Sequence, residues 1–380
     1  MAKTIPKWQA IAKALAGEIS SGKYGDSRPI PSEPALARRF GVARGTVRLA
    51  LDELRRQGVL ESRRGSGTFV KARKGSGRLG LLIPDGGAAE IFHVFIRRFS
   101  ALGNENGYVF LYGDGGEGKR SQRMKVVAKV VRDFIDQRCE GVIFRPFVDD
   151  RMALANREIV HRFSDEGIPV VLVDSDIVKA PARSACDLVG IDNVSAGRTI
   201  GEHLVSLGRR RIAFLMGGRF TDVSENWHNR LFGLRGAVTD AGLPWSRANV
   251  VEAAPDDAKR LGDVFRRGLR PDAIACGNDR EAAVLVSTLR SLGLRIPKDV
   301  AVAGFDDSVS AQVSSPALTT VHQPVEQIAE VAFGFLMDRI RGKVQTARSL
   351  ALTAPLIRRG STMGDDFRTN PINQGKGATR

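Results

Sequence analysis

Two arginines one helical turn apart, Arg44 and Arg48, lie in the segment "ARGTVRLALDELRRQGVLESRRGSGTFV", which runs from Ala43 to Val70. A guanidinium offers parallel N–H donors that match guanine O6 and N7, so this spacing suits base reading from a helix. Between them, Gly45 has no side chain to hold the backbone off a phosphate, and Thr46 can donate to a phosphate oxygen. Further along, Arg63, Arg64, Gly65, Ser66 and Gly67 form a basic tip. Its glycines allow a sharp turn that can lie along a groove, with the two arginines beside the nucleic-acid backbone.

These residues need elements to hold them. Trp8, Ile11, Ala12, Leu15 and Ile19 recur at helical spacing and predict a first helix that stops at "SGKYGDSRP". In "IPSEPALARRF", Ser32 is a good N-cap, Pro34 is tolerated in the first turn, and Leu36, Ala37 and Phe40 face inward. Gly41 makes the turn. A third helix buries Val47, Leu51 and Leu54, ends at Gly58, and leaves Arg44, Gly45, Arg48 and Arg55 on its open side. "VLESRRGSGTFV" alternates around a glycine turn and reads as a β-hairpin. Three helices and a hairpin make a winged helix-turn-helix.

Charge supports a polyanionic partner for this head. Residues 1–80 hold 17 Lys/Arg against 6 Asp/Glu, and the remaining 300 hold 41 against 36. No apolar run is long enough to span a membrane, and the first twenty residues lack the pattern of an export signal. Cys139, Cys186 and Cys276 are far apart without metal-type spacing, so they read as reduced thiols, and no metal or cofactor is expected.

From Arg78 onward, apolar runs such as "LGLLIP", "GVIF", "VVLVD", "RIAFLM", "DAIACG" and "VAVAGF" alternate with amphipathic stretches. Strands without polar alternation, separated by helices, predict doubly wound α/β architecture with parallel sheets buried on both faces. Ligands in such folds sit at the carboxyl ends of the strands. That places Asp85, Phe147, Asp174, Asp192, the 217–230 loop, Asn278 and Asp306 under inspection. A set rich in Asp, Asn and Arg, with some rings, fits a polyhydroxylated ligand. Asp192 reads more simply as a helix cap.

The segment from "IPSEPALARRF" to "GSGTFV" resembles the GntR-family DNA-binding domain over nearly its whole length. The resemblance implies base contacts from Arg44 and Arg48, phosphate contacts from Ser32 and Thr46, and a wing contact around Gly65–Gly67. Two departures stand out: Pro34 replaces a basic residue common in the family, and Ala43 replaces a Ser or Thr, removing a cap worth about 1 kcal/mol.

"LVGIDNVSAGRTIGEHLVSLGRRRIAFLMG", "NRLFGLRGAVTDAGL", "DAIACGNDREAAVLVSTLRSLGLRIPKDVAVAGFDD" and "PALTTVHQPVEQIAEVAFGFLMDRI" resemble the LacI/GalR family of sugar-responsive repressors. The likeness spans about residues 78–358. It implies two periplasmic-binding-protein-like lobes, a cleft between them and a homodimer. It also implies that Arg230 grips ligand hydroxyls, that Asn278 and Asp306 take others, and that Asp174 faces them from the opposite lobe. Trp227, three residues before Arg230, is the candidate for stacking. The pairing of head and body resembles the arabinose-repressor type of chimera. The loop "PDGGAAEIFHVF" is not diagnostic of arabinose.

The expected organisation is a winged helix-turn-helix at 1–71, a linker at 72–77, an effector and dimerisation domain at 78–360, and a disordered tail at 361–380. "VKARKGSGR" opposes a helix and lacks an apolar wedge, so it reads as a flexible tether whose Lys71, Arg73, Lys74 and Arg78 add phosphate attraction. "GDGGEG" at 113–118 formally matches a dinucleotide motif, but no acidic residue is placed for a ribose hydroxyl. The expected activity is that of a cytoplasmic bacterial regulator, nucleoid-associated when bound. It would repress a sugar-utilisation operon as a dimer on a pseudo-palindromic operator, with double-stranded DNA and a small sugar-like effector as partners. An enzyme with an aminotransferase-like body is the alternative, and this body has neither the length nor the Schiff-base lysine motif.

Overall fold

A computed structural model of the chain describes residues 6–364 apart from 21–23, 25–28, 57–58, 64–65, 71–76, 85–89, 117, 148–151, 180 and 219–224. The chain divides into two compact units, Met1–Gly77 with Asn104–Val109, and Arg78–Gly103 with Phe110–Arg380. Among the described residues no helix is long and apolar enough to cross a membrane.

In the first unit, α1 (Lys7–Ser20), α2 (Glu33–Phe40) and α3 (Arg44–Arg56) precede an antiparallel hairpin of β1 (Leu60–Arg63) and β2 (Gly67–Val70). The helical periodicity holds: Ile11, Leu15, Leu36, Val47, Leu51 and Leu54 share one core, which Leu60 of β1 joins. Gly41 takes φ +63° after α2, the left-handed conformation that lets α3 turn away. Ser32 stands at the N-cap of α2, but its side chain makes no capping hydrogen bond. Ala43 supplies only its carbonyl, which accepts from Thr46 and Val47. Arg55 departs from its expected open position: it is half-buried, paired with Asp52 at 2.5 Å and bonded to Thr68 of β2 at 3.2 Å. It fastens the wing to α3. The tether falls almost wholly outside the described residues.

The second unit has two lobes. The first contains β3 (Arg78–Leu82), α4 (Ile91–Asn106), β4 (Val109–Gly113), α5 (Arg120–Asp136), β5 (Gly141–Phe144), α6 (Ala153–Asp165), β6 (Val170–Val173) and β7 (Asp187–Ile191). The second contains α7 (Asn193–Ser206), β8 (Ile212–Leu215), α8 (Glu225–Asp240), β9 (Val250–Val251), α9 (Ala258–Arg266), β10 (Ala273–Cys276), α10 (Asp279–Ser291), β11 (Ala301–Asp306), α11 (Val309–Val313) and β12 (Thr319–His322). The chain then returns to the first lobe for α12 (Val325–Ile340) and β13 (Ser349–Leu352). It ends in the second with β14 (Leu356–Ile357) and α13 (Gly360–Met363).

Each lobe is built on one six-stranded sheet, ordered β13-β7-β6-β5-β3-β4 and β14-β12-β11-β10-β8-β9. The strand pairs β3–β5–β6–β7–β13 and β9–β8–β10–β11–β12 run parallel, and β14 pairs antiparallel with β12 at an edge. β5, β6, β8 and β10 are buried at every position, which is why their sequences show no polar alternation. The first residues of the expected tail at 361–380 are structured, in α13, and 365–380 lie outside the described residues. Ser361 and Thr362 are buried, because their hydroxyls bond Val302, Thr319 and His203.

Helices α7 and α8 meet backbone to backbone. A methyl added at Gly197 would lie 2.0 Å from the Arg230 carbonyl oxygen, and one at Gly233 would lie 1.9 Å from that of Val194. Only glycine permits this approach, and it fixes the helix that carries Arg230.

Candidate functional site

On the head, the open face of α3 presents Arg44, Gly45, Arg48 and Leu49, all exposed. Arg44 makes no hydrogen bond or ion pair among the described residues. Arg48 is engaged: its Nη2 lies 3.1 Å from Glu33 Oε2 of α2, and its Nε lies 3.4 Å from Oε1. This pair raises the Arg48 pKa. Thr46 is half-buried beside them, and Ser32 is exposed at the start of α2. Ser66 is exposed at the hairpin turn, where Gly67 takes φ +114°. Arg64, Gly65 and the Arg63 side chain lie outside the described residues.

On the body, the strand ends converge around Arg230. This guanidinium is 4% exposed. Its Nε donates to Asn193 Oδ1 at 2.8 Å, its Nη1 donates to the Gly277 carbonyl at 2.6 Å, and its plane lies 3.5 Å from the centre of the Phe305 ring. Asp306 Oδ1 sits 3.9 Å from Nη1 and accepts from Gln323 Nε2 at 2.6 Å. Trp227 covers Gly277: a methyl at that glycine would lie 2.3 Å from the indole. Asn278 caps α10 by accepting from the Glu281 amide at 2.8 Å, which leaves its NH2 without a partner among the described residues.

Asp174 closes the group from the first lobe. Its Oδ2 lies 3.2 Å from both Nε and Nη2 of Arg145, and its Oδ1 accepts from Asn226 of the second lobe at 2.9 Å. A second bond between lobes joins Glu90 to the Ser310 amide and hydroxyl. Asp174, Asp306 and Asp307 all have positive φ, at +70°, +110° and +57°. Such backbone strain clusters at functional sites.

Burial governs the electrostatics here. It lowers the Arg230 pKa against the pull of Asp306 and Asp174, and raises that of Asp306 despite the nearby Arg230. Burial also raises Asp279, reinforced by Asp306, and lifts Glu281 to about 7. Asp279 Oδ1 and Glu281 Oε2 are buried without hydrogen-bond partners among the described residues.

The structure thus brings Asp174, Trp227, Arg230, Asn278 and Asp306 together. Phe147 does not join them. It is 4% exposed in the first-lobe core, clamped through its backbone by Asn156, with the Arg123 guanidinium over its ring at 5.1 Å. Asp85 lies outside the described residues, and Asp192 caps α7 by accepting from the amides of Val194 and Ser195. Arg145, Asn226, Phe305 and Gln323 were missed. Arg145 and Gln323 directly follow β5 and β12, so the strand-end rule that singled out Asp174 would have found them.

Among the described residues no group of His, Cys, Asp and Glu could hold a metal ion. Residues 7–70 match the family of bacterial regulatory proteins, gntR family, and residues 202–362 match a periplasmic binding protein-like domain. The chain is 28% identical to the arabinose metabolism transcriptional repressor of Geobacillus stearothermophilus, over 95% of this chain and 98% of that protein. It is 27% identical to the protein of the same name from Halalkalibacterium halodurans, over 84% and 85%. The structure of the transcriptional regulator CelR in complex with cellobiose superposes with a TM-score of 0.64 at 22% identity, covering 87% of this chain and all of that one. That last likeness concerns the fold alone. The curated relatives are regulators, which leaves an aminotransferase-like body without support. The chain joins a gntR-type helix-turn-helix domain to a periplasmic-binding-protein-like domain, and it is a transcriptional regulator of that two-part kind.

Proposed function

We propose that this regulator is a repressor whose cleft binds a small polyhydroxylated effector, with sugars as the first candidates. The observation that carries this reading is the fixed guanidinium of Arg230. Nε and Nη1 are anchored, and Nη2 keeps no partner among the described residues. A planar donor fixed on Asn193, the Gly277 carbonyl and the Phe305 ring, beside Asp306 and with Trp227 packed on Gly277, suits vicinal hydroxyls and a sugar face. Asp174 and Asn226 bridge the lobes, so an effector that competes for them changes the lobe arrangement. It can do so only through a difference in affinity for the two arrangements. Two relatives are named for arabinose metabolism, which makes pentoses the first compounds to try.

On the head, the proposal assigns base reading to Arg44 and Arg48, and phosphate contacts to Ser32, Thr46 and the Arg63–Gly67 tip. Arg48 must leave Glu33 or read a base while still braced by it. Leu49, 56% exposed on the same face, suits a thymine methyl. The proposed assembly is a homodimer on a pseudo-palindromic operator. α11 supports it by leaving Val309 and Val313 exposed at 65% and 74%.

Thermal-shift screening of the full chain against pentoses, hexoses and disaccharides tests the reading, since a bound ligand stabilises the fold with RT ln(1 + [L]/Kd). Arg230→Met should abolish the shift produced by the best sugar. A full shift in that variant removes Arg230 from the effector site.

A further inference from the structure

We propose that Arg359, in the C-terminal segment, is a positioning residue for the effector cleft: acting through Asp307, it sets the orientation of the Asp306 carboxylate. This rests on the reading of Asp306 as an effector residue. Asp306 and Asp307 are consecutive non-glycine residues at positive φ, +110° and +57°. A pair of side-chain-bearing residues relaxes from that conformation unless its surroundings hold it.

The holding contacts are specific. Arg359 Nη2 donates to Asp307 Oδ1 at 2.6 Å, and His322 Nδ1 lies 3.0 Å from Oδ2. Both oxygens of Asp307 are therefore occupied, whereas Asp306 Oδ2 has no partner among the described residues. Asp307 is the fastened member of the pair and Asp306 the presented one. Burial opposes charge on Asp307, yet His322 and Arg359 together hold its pKa below the ordinary range. Asp306 thus stands beside a compensated charge.

Arg359 is itself anchored. Its Nη1 donates to the Leu318 carbonyl at 3.0 Å, and its amide donates to Thr319 Oγ1 at 2.8 Å. The next turn is tied down by Ser361, whose hydroxyl donates to Val302 at 2.6 Å, and by Thr362, bonded to Thr319 and His203. The last described segment is thus continuous, through hydrogen bonds, with the carboxylate beside Arg230.

The test titrates the full chain with L-arabinose, D-xylose, D-galactose and cellobiose, following tryptophan fluorescence. The proteins are wild type, Arg359→Ala, Asp307→Asn, Asp306→Asn, and each of the first two variants combined with Asp306→Asn. Arg359→Ala and Asp307→Asn should each weaken the best-bound sugar about tenfold, and in the Asp306→Asn background should change it less than about twofold. Equal losses in both backgrounds, or no loss in either, overturn the proposal, because Arg359 then does not act through Asp306. If Arg359→Ala does not fold, Asp307→Asn carries the same test with the backbone site intact. An Asp306→Asn variant with wild-type affinity instead sinks the assignment of Asp306 to the site. If no sugar binds the wild type, the sugar reading fails. Carbon-13 NMR titration of the Asp306 carboxyl then decides: a curve unmoved by both Arg359→Ala and Asp307→Asn overturns the positioning role, and a shifted curve supports it.

Discussion

Replacing Glu281 with glutamine should stabilise the protein at pH 8 and leave its stability unchanged near pH 4. Glu281 lies in the first turn of α10, with one carboxylate oxygen buried and unpartnered among the described residues and the group packed against Gly217. Burial lifts its pKa from the ordinary 4.5 to about 7, while Arg280 offsets a little of that rise. Below pH 4.5 the carboxyl is protonated in both folded and unfolded chains, and glutamine gains nothing. As pH rises through about 7 the folded protein must ionise a poorly solvated group, which the unfolded chain does in water at no such cost. Full ionisation over that gap corresponds to at most about 3 kcal/mol, and residual solvent access reduces the expected gain to about 1–2 kcal/mol. Urea midpoints for wild type and variant at half-unit steps from pH 4 to 8 give the difference directly, because other titrations cancel. A gain that is constant with pH, or a variant less stable at pH 8, would refute the argument.

His203 should show the opposite slope. Burial, with Arg358 nearby, lowers its pKa to about 4, so its contribution is complete above pH 6.5 and is lost as pH falls toward 4; His203→Gln should remove up to about 3 kcal/mol of that acid sensitivity in the same urea series. Gly197→Ala places a methyl against the Arg230 carbonyl and should cost more than about 3 kcal/mol or force α7 and α8 apart, read by thermal melting together with loss of effector binding. Arg44→Ala should cost about 1–3 kcal/mol on a cognate site and relax base preference there, measured by fluorescence anisotropy on specific and random duplexes; equal losses on both would remove Arg44 from base reading.

The head was legible because its evidence is local. The 3.6-residue spacing of Ile11, Leu15, Leu36, Val47, Leu51 and Leu54 states which face is buried, and Gly41 marks where the chain turns. The sheets were legible because β5, β6, β8 and β10 are buried on both faces, and Asp174, Asn278 and Asp306 follow from where strands end. What stayed hidden depends on partners distant in sequence. Nothing near Arg48 announces Glu33, and nothing near Asp307 announces Arg359, 52 residues later. Phe147 was misplaced for a related reason: it follows a strand, but the Asn156 amide folds its backbone into the core. The edge strand β14 is two residues long, too short to leave a pattern.

The return of the chain to the first lobe has a consequence for how the protein is made. β13 completes the edge of a sheet whose other five strands lie between Arg78 and Ile191, and α12 packs on β5, β6 and β7 of that sheet. A ribosome that has released residue 322 has delivered nearly all of the second lobe, while the first still lacks a helix and a strand. The earlier-born lobe is therefore completed only after nearly all of the other has emerged, and until then it exposes the apolar faces that α12 will cover. Both lobes thus wait for segments beyond residue 322, α12 and β13 for the first and β14 and α13 for the second, and the aggregation risk of the first lobe runs from the emergence of Ile191 to that of Leu352.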